Sequence, residues 1–122
     1  MEFKNQKAIY LQIADHICDE ILSGRYPEDG DMSSKLPSVR EYAAQVEVNA
    51  NTVARSFEWL QAHNIVVVRR GLGNFVAPGA KKEIEALRRE EFFTHQLPDL
   101  FREMHKLGIT IEEVLERYRT HR

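Results

Sequence analysis

Residues 36–76 read LPSVREYAAQVEVNANTVARSFEWLQAHNIVVVRRGLGNFV. No other stretch constrains the fold as tightly, because each of its breaks has a chemical cause. Pro37 keeps the residue before it out of the helical region, and Ser38 then opens a helix. Ser38-Val39-Arg40-Glu41 is a capping box: the serine hydroxyl accepts from the Glu41 backbone N–H while the Glu41 carboxylate reaches back to the serine N–H. Tyr42, Ala43 and Val46 supply the inward face of this helix. Asn49 is suited to cap a second helix, on which Val53, Phe57 and Leu60 recur at i, i+4 and i+7. Asn51, Thr52 and Arg55 lie together on another face near its start. His63-Asn64 ends it, since asparagine tolerates the left-handed backbone. Ile65 to Arg69 is strand-forming by its β-branched content. Asn74-Phe75-Val76 is its partner, and Gly71 and Gly73 permit the tight turn between them.

Two short amphipathic helices followed at once by a hairpin tipped Arg69-Arg70-Gly71-Leu72-Gly73 form the layout of a winged helix-turn-helix. That layout brings one helix N-terminus and one hairpin tip to the same side, where both can touch duplex DNA. Net charge is the counter-evidence: nucleic-acid binders are often basic, and this chain of 122 residues carries −2. The charge is unevenly placed. Residues 1–31 hold seven acidic side chains against three basic ones, whereas residues 32–75 hold five basic against three acidic. A mildly basic island of this kind gives weak non-specific binding, so tight binding has to come from local contacts doubled in a dimer. The competing reading is a winged helix used for protein docking without DNA, with the acidic first helix in a scaffold role.

The flanks read as follows. Lys7 to Ser23 is helical, with Ile9, Ile13, Ile17 and Ile21 every fourth residue and Tyr10, Ala14 and Leu22 widening the stripe. Gly24 stops it, and Arg25 to Lys35 is a loop. Pro78-Gly79 closes the module, which divides the chain into a head, residues 1–79, and a tail, residues 80–122. Ala80 to Leu107 reads as one long helix that Pro98 kinks or breaks. After Gly108, Thr110 to Glu113 is a second capping box that opens a last helix ending near Thr120. The expected fold is mostly α with a small β-hairpin, ending in a two-helix tail. The tail has too few apolar residues to fold alone, and its stripe calls for a partner. The candidate dimerisation residues are Ile84, Leu87, Phe92, Phe93, Leu97, Leu100, Phe101, Met104, Leu107, Val114, Leu115 and Tyr118. Phe92-Phe93 also admits a role in lining an effector pocket, with the dimer interface the stronger reading. The sequence identifies no effector.

Other functions find little support. The 43% hydrophobic and 30% charged content is ordinary for a globular protein. There is no apolar run long enough to span a bilayer, and MEFKNQKAIY lacks the pattern of a signal peptide, so a cytoplasmic location without membrane contact is expected. Cys18 is the single cysteine and reads as a small buried apolar residue beside Ile17, Ile21 and Leu22. His16, His63, His95, His105 and His121 show no metal-ligand spacing and read as surface residues; no metal or other cofactor is expected. No serine or cysteine has a base in motif distance, so catalysis has no support. Trp59 lies late in its helix and reads as packing.

Residues 8–78 resemble the GntR family of bacterial transcription regulators. The matching marks are Ile-Tyr-Leu-Gln-Ile at 9–13, Gly30-Asp31, Leu36-Pro37-Ser38-Val39-Arg40-Glu41, Asn51-Thr52-Val53, Leu60, Arg70-Gly71 and Gly73-Asn74-Phe75-Val76. The short helical tail looks like that of the YtrA-type subfamily, in which it is a dimerisation device. The resemblance implies a regulator, most readily a repressor, that binds a palindromic operator in double-stranded DNA as a homodimer. It implies that Arg40 binds phosphate or a guanine edge and that Ser38 and its helix N-terminus hold a phosphate. Asn49, Asn51, Thr52 and Arg55 would enter the major groove, where arginine pairs with guanine and asparagine with adenine. Arg69, Arg70 and Gly71 would carry the wing into the minor groove. The chain departs from the family pattern in three places. Met32-Ser33-Ser34 is inserted before Lys35, Glu47 stands where glycine is usual, and Ala50 and Ala54 offer no polar group.

Overall fold

The computed structural model describes residues 7–122. Residues 1–6, with the charges of Glu2 and Lys4 and most of the segment read for a signal peptide, lie outside the described residues. The elements are α1 (Ile9–Leu22), a 3-10 turn (Met32–Ser34), α2 (Val39–Val46), α3 (Ala50–Ala62), β1 (Val66–Arg69), β2 (Gly73–Val76), α4 (Ala80–Glu91), a π-helical turn (Phe92–Gln96), α5 (Leu97–Leu107) and α6 (Ile111–Thr120). They form two compact units, one ending at Glu85 and one running from Ala86.

The first unit is the winged helix. Ile13, Ile17 and Ile21 of α1 are fully buried, as are Val53, Phe57 and Leu60 of α3, so both predicted stripes face the core. Ile9 is half exposed instead. A four-residue repeat gains about 40° per step on a helix of 3.6 residues per turn, which carries the first isoleucine off the buried face. Tyr42 of α2 meets Phe57 edge to face, with ring centroids 6.2 Å apart. Fully burying a side chain of this size stabilises the fold by about 1.5–3 kcal/mol.

One buried carboxylate ties α1 to α2. Glu20 accepts from the Tyr42 hydroxyl at 3.1 Å and from Arg25 Nη1 at 2.7 Å. Burial, then the neighbouring carboxylate, pushes the Tyr42 hydroxyl far above its usual range, so it stays a donor at every physiological pH. Met32-Ser33-Ser34 makes the 3-10 turn, with the Asp31 side chain accepting from the Ser33 N–H. Ser34 is fully buried, its Oγ 2.6 Å from the Pro27 carbonyl and 2.9 Å from Asp29 Oδ1.

β1 and β2 pair antiparallel, Val66 opposite Val76 and Arg69 opposite Gly73. Lys35 bridges to Phe75 on the free side of β2, and the Leu36 N–H donates to the Asn74 carbonyl at 2.9 Å. The hairpin is thereby fastened to the segment that leads into α2. Glu28 closes the unit: its carboxylate accepts from the Gly79 N–H at 3.0 Å and the Lys81 N–H at 2.6 Å, where α4 begins. Ala80 and Ile84 of α4 are buried.

In the second unit the helix is not broken at Pro98. The Leu97 N–H donates to the Phe92 carbonyl, five residues back, which is the π pattern. That wider turn sets Pro98 in the first turn of α5, where its missing N–H is not needed. Gly108 ends α5 in the left-handed conformation, and the Thr110–Glu113 capping box forms as expected. Met104 is the only buried apolar side chain among the described residues of this unit.

Candidate nucleic-acid interface

The exposed face of α3 follows from its buried one. With Val53, Phe57 and Leu60 turned inward, the 100° step per residue directs Asn51 and Arg55 to the opposite side, and both are exposed. Thr52, between the two faces, is half-buried. Asn49 caps the helix as expected: its side-chain oxygen accepts from the Asn51 N–H at 2.8 Å. Arg55 pairs with neither Glu47 nor Glu58; its guanidinium lies over the Tyr10 ring of α1, Cζ 4.0 Å from the centroid. Trp59 packs on the ring of His63 at 4.0 Å, so His63 is half-buried rather than a surface residue.

At the start of α2 both halves of the capping box form. Glu41 N–H donates to Ser38 Oγ at 3.1 Å, and Ser38 N–H donates to Glu41 Oε1 at 3.0 Å. That backbone bond holds the Glu41 carboxyl below the usual carboxylate range. The helix N-terminus therefore already carries one anion. Arg40, next to it, is exposed, and among the described residues no hydrogen bond or ion pair engages it. Between α2 and α3, Glu47 takes φ 56, the left-handed conformation that glycine takes without cost.

The two wing arginines differ in placement. Arg69 is half-buried and turned back onto the body: its Nη1 donates to the Gly30 carbonyl at 2.8 Å, and its Cζ lies 4.3 Å from the centre of the Phe75 ring. Arg70 is exposed at the tip. The Leu72 N–H donates to the Arg69 carbonyl at 2.9 Å, and Gly71 takes φ 77 within that turn, a conformation suited to glycine. Leu72 is 52% exposed beside it.

Residues 9–76 match the family model for bacterial regulatory proteins of the gntR family. The chain belongs to this family. It is 39% identical to the uncharacterized HTH-type transcriptional regulator YhcF of Bacillus subtilis (strain 168), over 98% of this chain and 93% of that protein. It is 30% identical to the HTH-type transcriptional repressor YtrA of the same organism, over 93% of this chain and 83% of the relative. A putative GntR-family transcriptional regulator from Bacteroides thetaiotaomicron has been solved by crystallography. It shares 50% identity and a TM-score of 0.77, covering 92% of this chain and 94% of that one. As a gntR-family member the chain is a transcriptional regulator with a DNA-binding helix-turn-helix, not an enzyme.

The family fold also positions a basic residue that the sequence reading had not singled out. Lys35 is exposed, and its Cε lies 3.4 Å from where a Cβ on Gly73 would sit, so it stands beside the wing. Its place immediately before Leu36-Pro37-Ser38 was the available signal.

The candidate tail residues fall into three sets. Ile84 is buried in the first unit and Met104 is 7% exposed, so both already have intramolecular neighbours and serve the protomer's own packing. Leu87, Leu97 and Val114 are half-buried. Phe92, Phe93, Leu100, Phe101, Leu107, Leu115 and Tyr118 are exposed, Leu107 by 64% and Tyr118 by 76%. Phe92 and Phe93 meet edge to face at 5.3 Å. Among the described residues, no helix is long and apolar enough to cross a membrane, and no cluster of side chains could hold a metal ion.

Proposed function

We propose that this chain is a cytoplasmic transcriptional repressor that binds a palindromic operator as a homodimer. The observation that carries the reading is the pairing of Asn51 and Arg55, exposed on the face of α3 opposite its core stripe. α3 then enters the major groove, Arg55 and Asn51 reading base edges with Thr52 and the Asn49 amide beside them. Arg40 binds backbone phosphate, oriented by the Ser38 cap. Arg70, Gly71 and Lys35 form the wing's contact with the minor groove and its phosphates. Arg69 braces the wing from behind. The repressor named YtrA among its relatives supports repression as the outcome of binding.

The head, residues 1–79, reads DNA and the tail, residues 80–122, forms the dimer, with the first turns of α4 held by the head. Eight exposed large apolar side chains on the tail are more than a lone soluble unit tolerates, and a two-fold axis buries the same patch twice. Two heads then meet half-sites about 34 Å apart or a multiple of that.

Selection of binding sites from random duplexes tests this. A palindrome is expected, with affinity falling steeply as salt rises. Alanine at both Arg40 and Arg55 should abolish selective binding; undiminished binding would sink the groove assignment. Phe101→Glu should convert the chain from dimer to monomer in sedimentation. A Phe101→Glu chain that remains dimeric would remove the tail from the interface.

A further inference from the structure

The contact between Arg55 and Tyr10 joins the reading face of α3 to a helix that does not itself face the groove in this reading. Tyr10 is half-buried at the second position of α1. Its backbone is anchored next door to Arg55: the fully buried Ser56 hydroxyl donates to the Tyr10 carbonyl at 2.7 Å. The ring is thus fixed in register with α3, and the guanidinium rests over it at 4.0 Å. An arginine stacked by its face still presents its N–H groups in the plane of the fork, along the edges. A free arginine side chain loses rotamer entropy when binding fixes it. A side chain already resting on a ring loses less.

We propose that Tyr10 is a positioning residue for sequence readout: its ring holds the Arg55 guanidinium in the orientation that meets a base edge. The inference rests on the reading that Arg55 faces DNA. The aromatic face is the working part, and the phenol oxygen is not. Attraction between an exposed arginine and a ring is worth about 0.5–1 kcal/mol, equivalent to a change of two- to five-fold.

The experiment is a double-mutant cycle on discrimination. Affinities are measured for a duplex carrying the selected site and for one altered at the base pair whose preference Arg55→Ala removes. Tyr10→Leu should lower the ratio of the two affinities about three-fold, and Tyr10→Phe should leave it unchanged. In the Arg55→Ala background, Tyr10→Leu should add nothing to the loss. Equal losses in both backgrounds, or a Tyr10→Phe chain as impaired as Tyr10→Leu, would overturn the inference. If Arg55→Ala leaves discrimination intact, the DNA role of Arg55 falls and the inference falls with it. If Arg55→Ala impairs discrimination and Tyr10→Leu does not, only the inference fails. A DNA-free readout runs alongside: the Arg55 δ protons should be shifted upfield by the ring in the free protein and in Tyr10→Phe, and should return to ordinary positions in Tyr10→Leu. Unshifted δ protons in the wild-type chain would overturn the stack itself.

Discussion

In the first unit, Phe57, Phe75 and Tyr42 are closed off from solvent; in the second, Phe92, Phe93 and Phe101 are 43%, 51% and 42% exposed. The same residue type is used in opposite ways. The head closes its core with three helices, a hairpin and the first turns of α4. The second unit buries one methionine and leaves its aromatic side chains outward. An aromatic ring stabilises a protein chiefly by the apolar surface it removes from water. The head thus closes a core of its own, whereas most of the tail's aromatic surface stays in water.

Substitutions can break that contrast. The largest effect is expected at Phe57, where truncation to alanine should lower unfolding free energy by about 3–5 kcal/mol in urea titration. Phe101→Ala should instead cost little in the isolated protomer. In wild-type protein the melting temperature should climb with protein concentration, and Phe101→Ala should flatten that dependence. If Phe101→Ala costs as much as Phe57→Ala at every concentration, the two units do not differ in the way described.

Smaller effects sharpen the account of the head. Tyr42→Phe removes a donor from the buried Glu20 carboxylate and should cost about 1–3 kcal/mol, measured the same way. A neutral result would mean that Arg25 and His16, whose Nε2 lies 3.6 Å from Glu20 Oε1, suffice for the carboxylate. Glu47→Gly should raise stability by about 1 kcal/mol, because φ 56 strains any residue with a Cβ; no gain would show that Glu47 holds its turn by other contacts. The smallest effect concerns pH. The Ser38 N–H bond depresses the Glu41 carboxyl in the folded state. Its contribution is thus present above the ordinary carboxylate range and is lost as pH falls through the folded value. Glu41→Gln should make the acid side of the stability profile shallower, and an unchanged profile would contradict the bond.

What could be read from the sequence was local. Ser38 and Glu41 are three residues apart, Asn49 caps its own helix, and Asn64 ends it in the left-handed region, φ 60. Each of these depends on neighbours along the chain, and periodicity supplied the buried stripes. The rest depends on which elements meet. Arg69 and Gly30 are 39 residues apart, and Glu28 caps Gly79 and Lys81 across more than 50. No spacing rule links such residues, so two adjacent arginines looked alike until the fold separated them. Pro98 shows another kind of shortfall. The sequence predicted a disturbance in the right place, but a kink and a π turn both accommodate a proline that lacks its N–H. At the interface, the polar face of α3 was legible from its helical period, whereas Tyr10 beneath Arg55 needed the packing of α1 on α3.

The clasp between Arg69 and the Gly30 carbonyl also bears on how relatives of this chain can be recombined. A wing is not a portable part when its arginine is anchored in a loop 39 residues earlier in the chain. Grafting residues 69–73 alone onto a scaffold whose loop runs differently would strand the guanidinium without its acceptor. A chimera that transfers wing preference has to carry residues 28–35 along with it, so the unit of inheritance for this contact is two segments that are distant in the chain and adjacent in the fold.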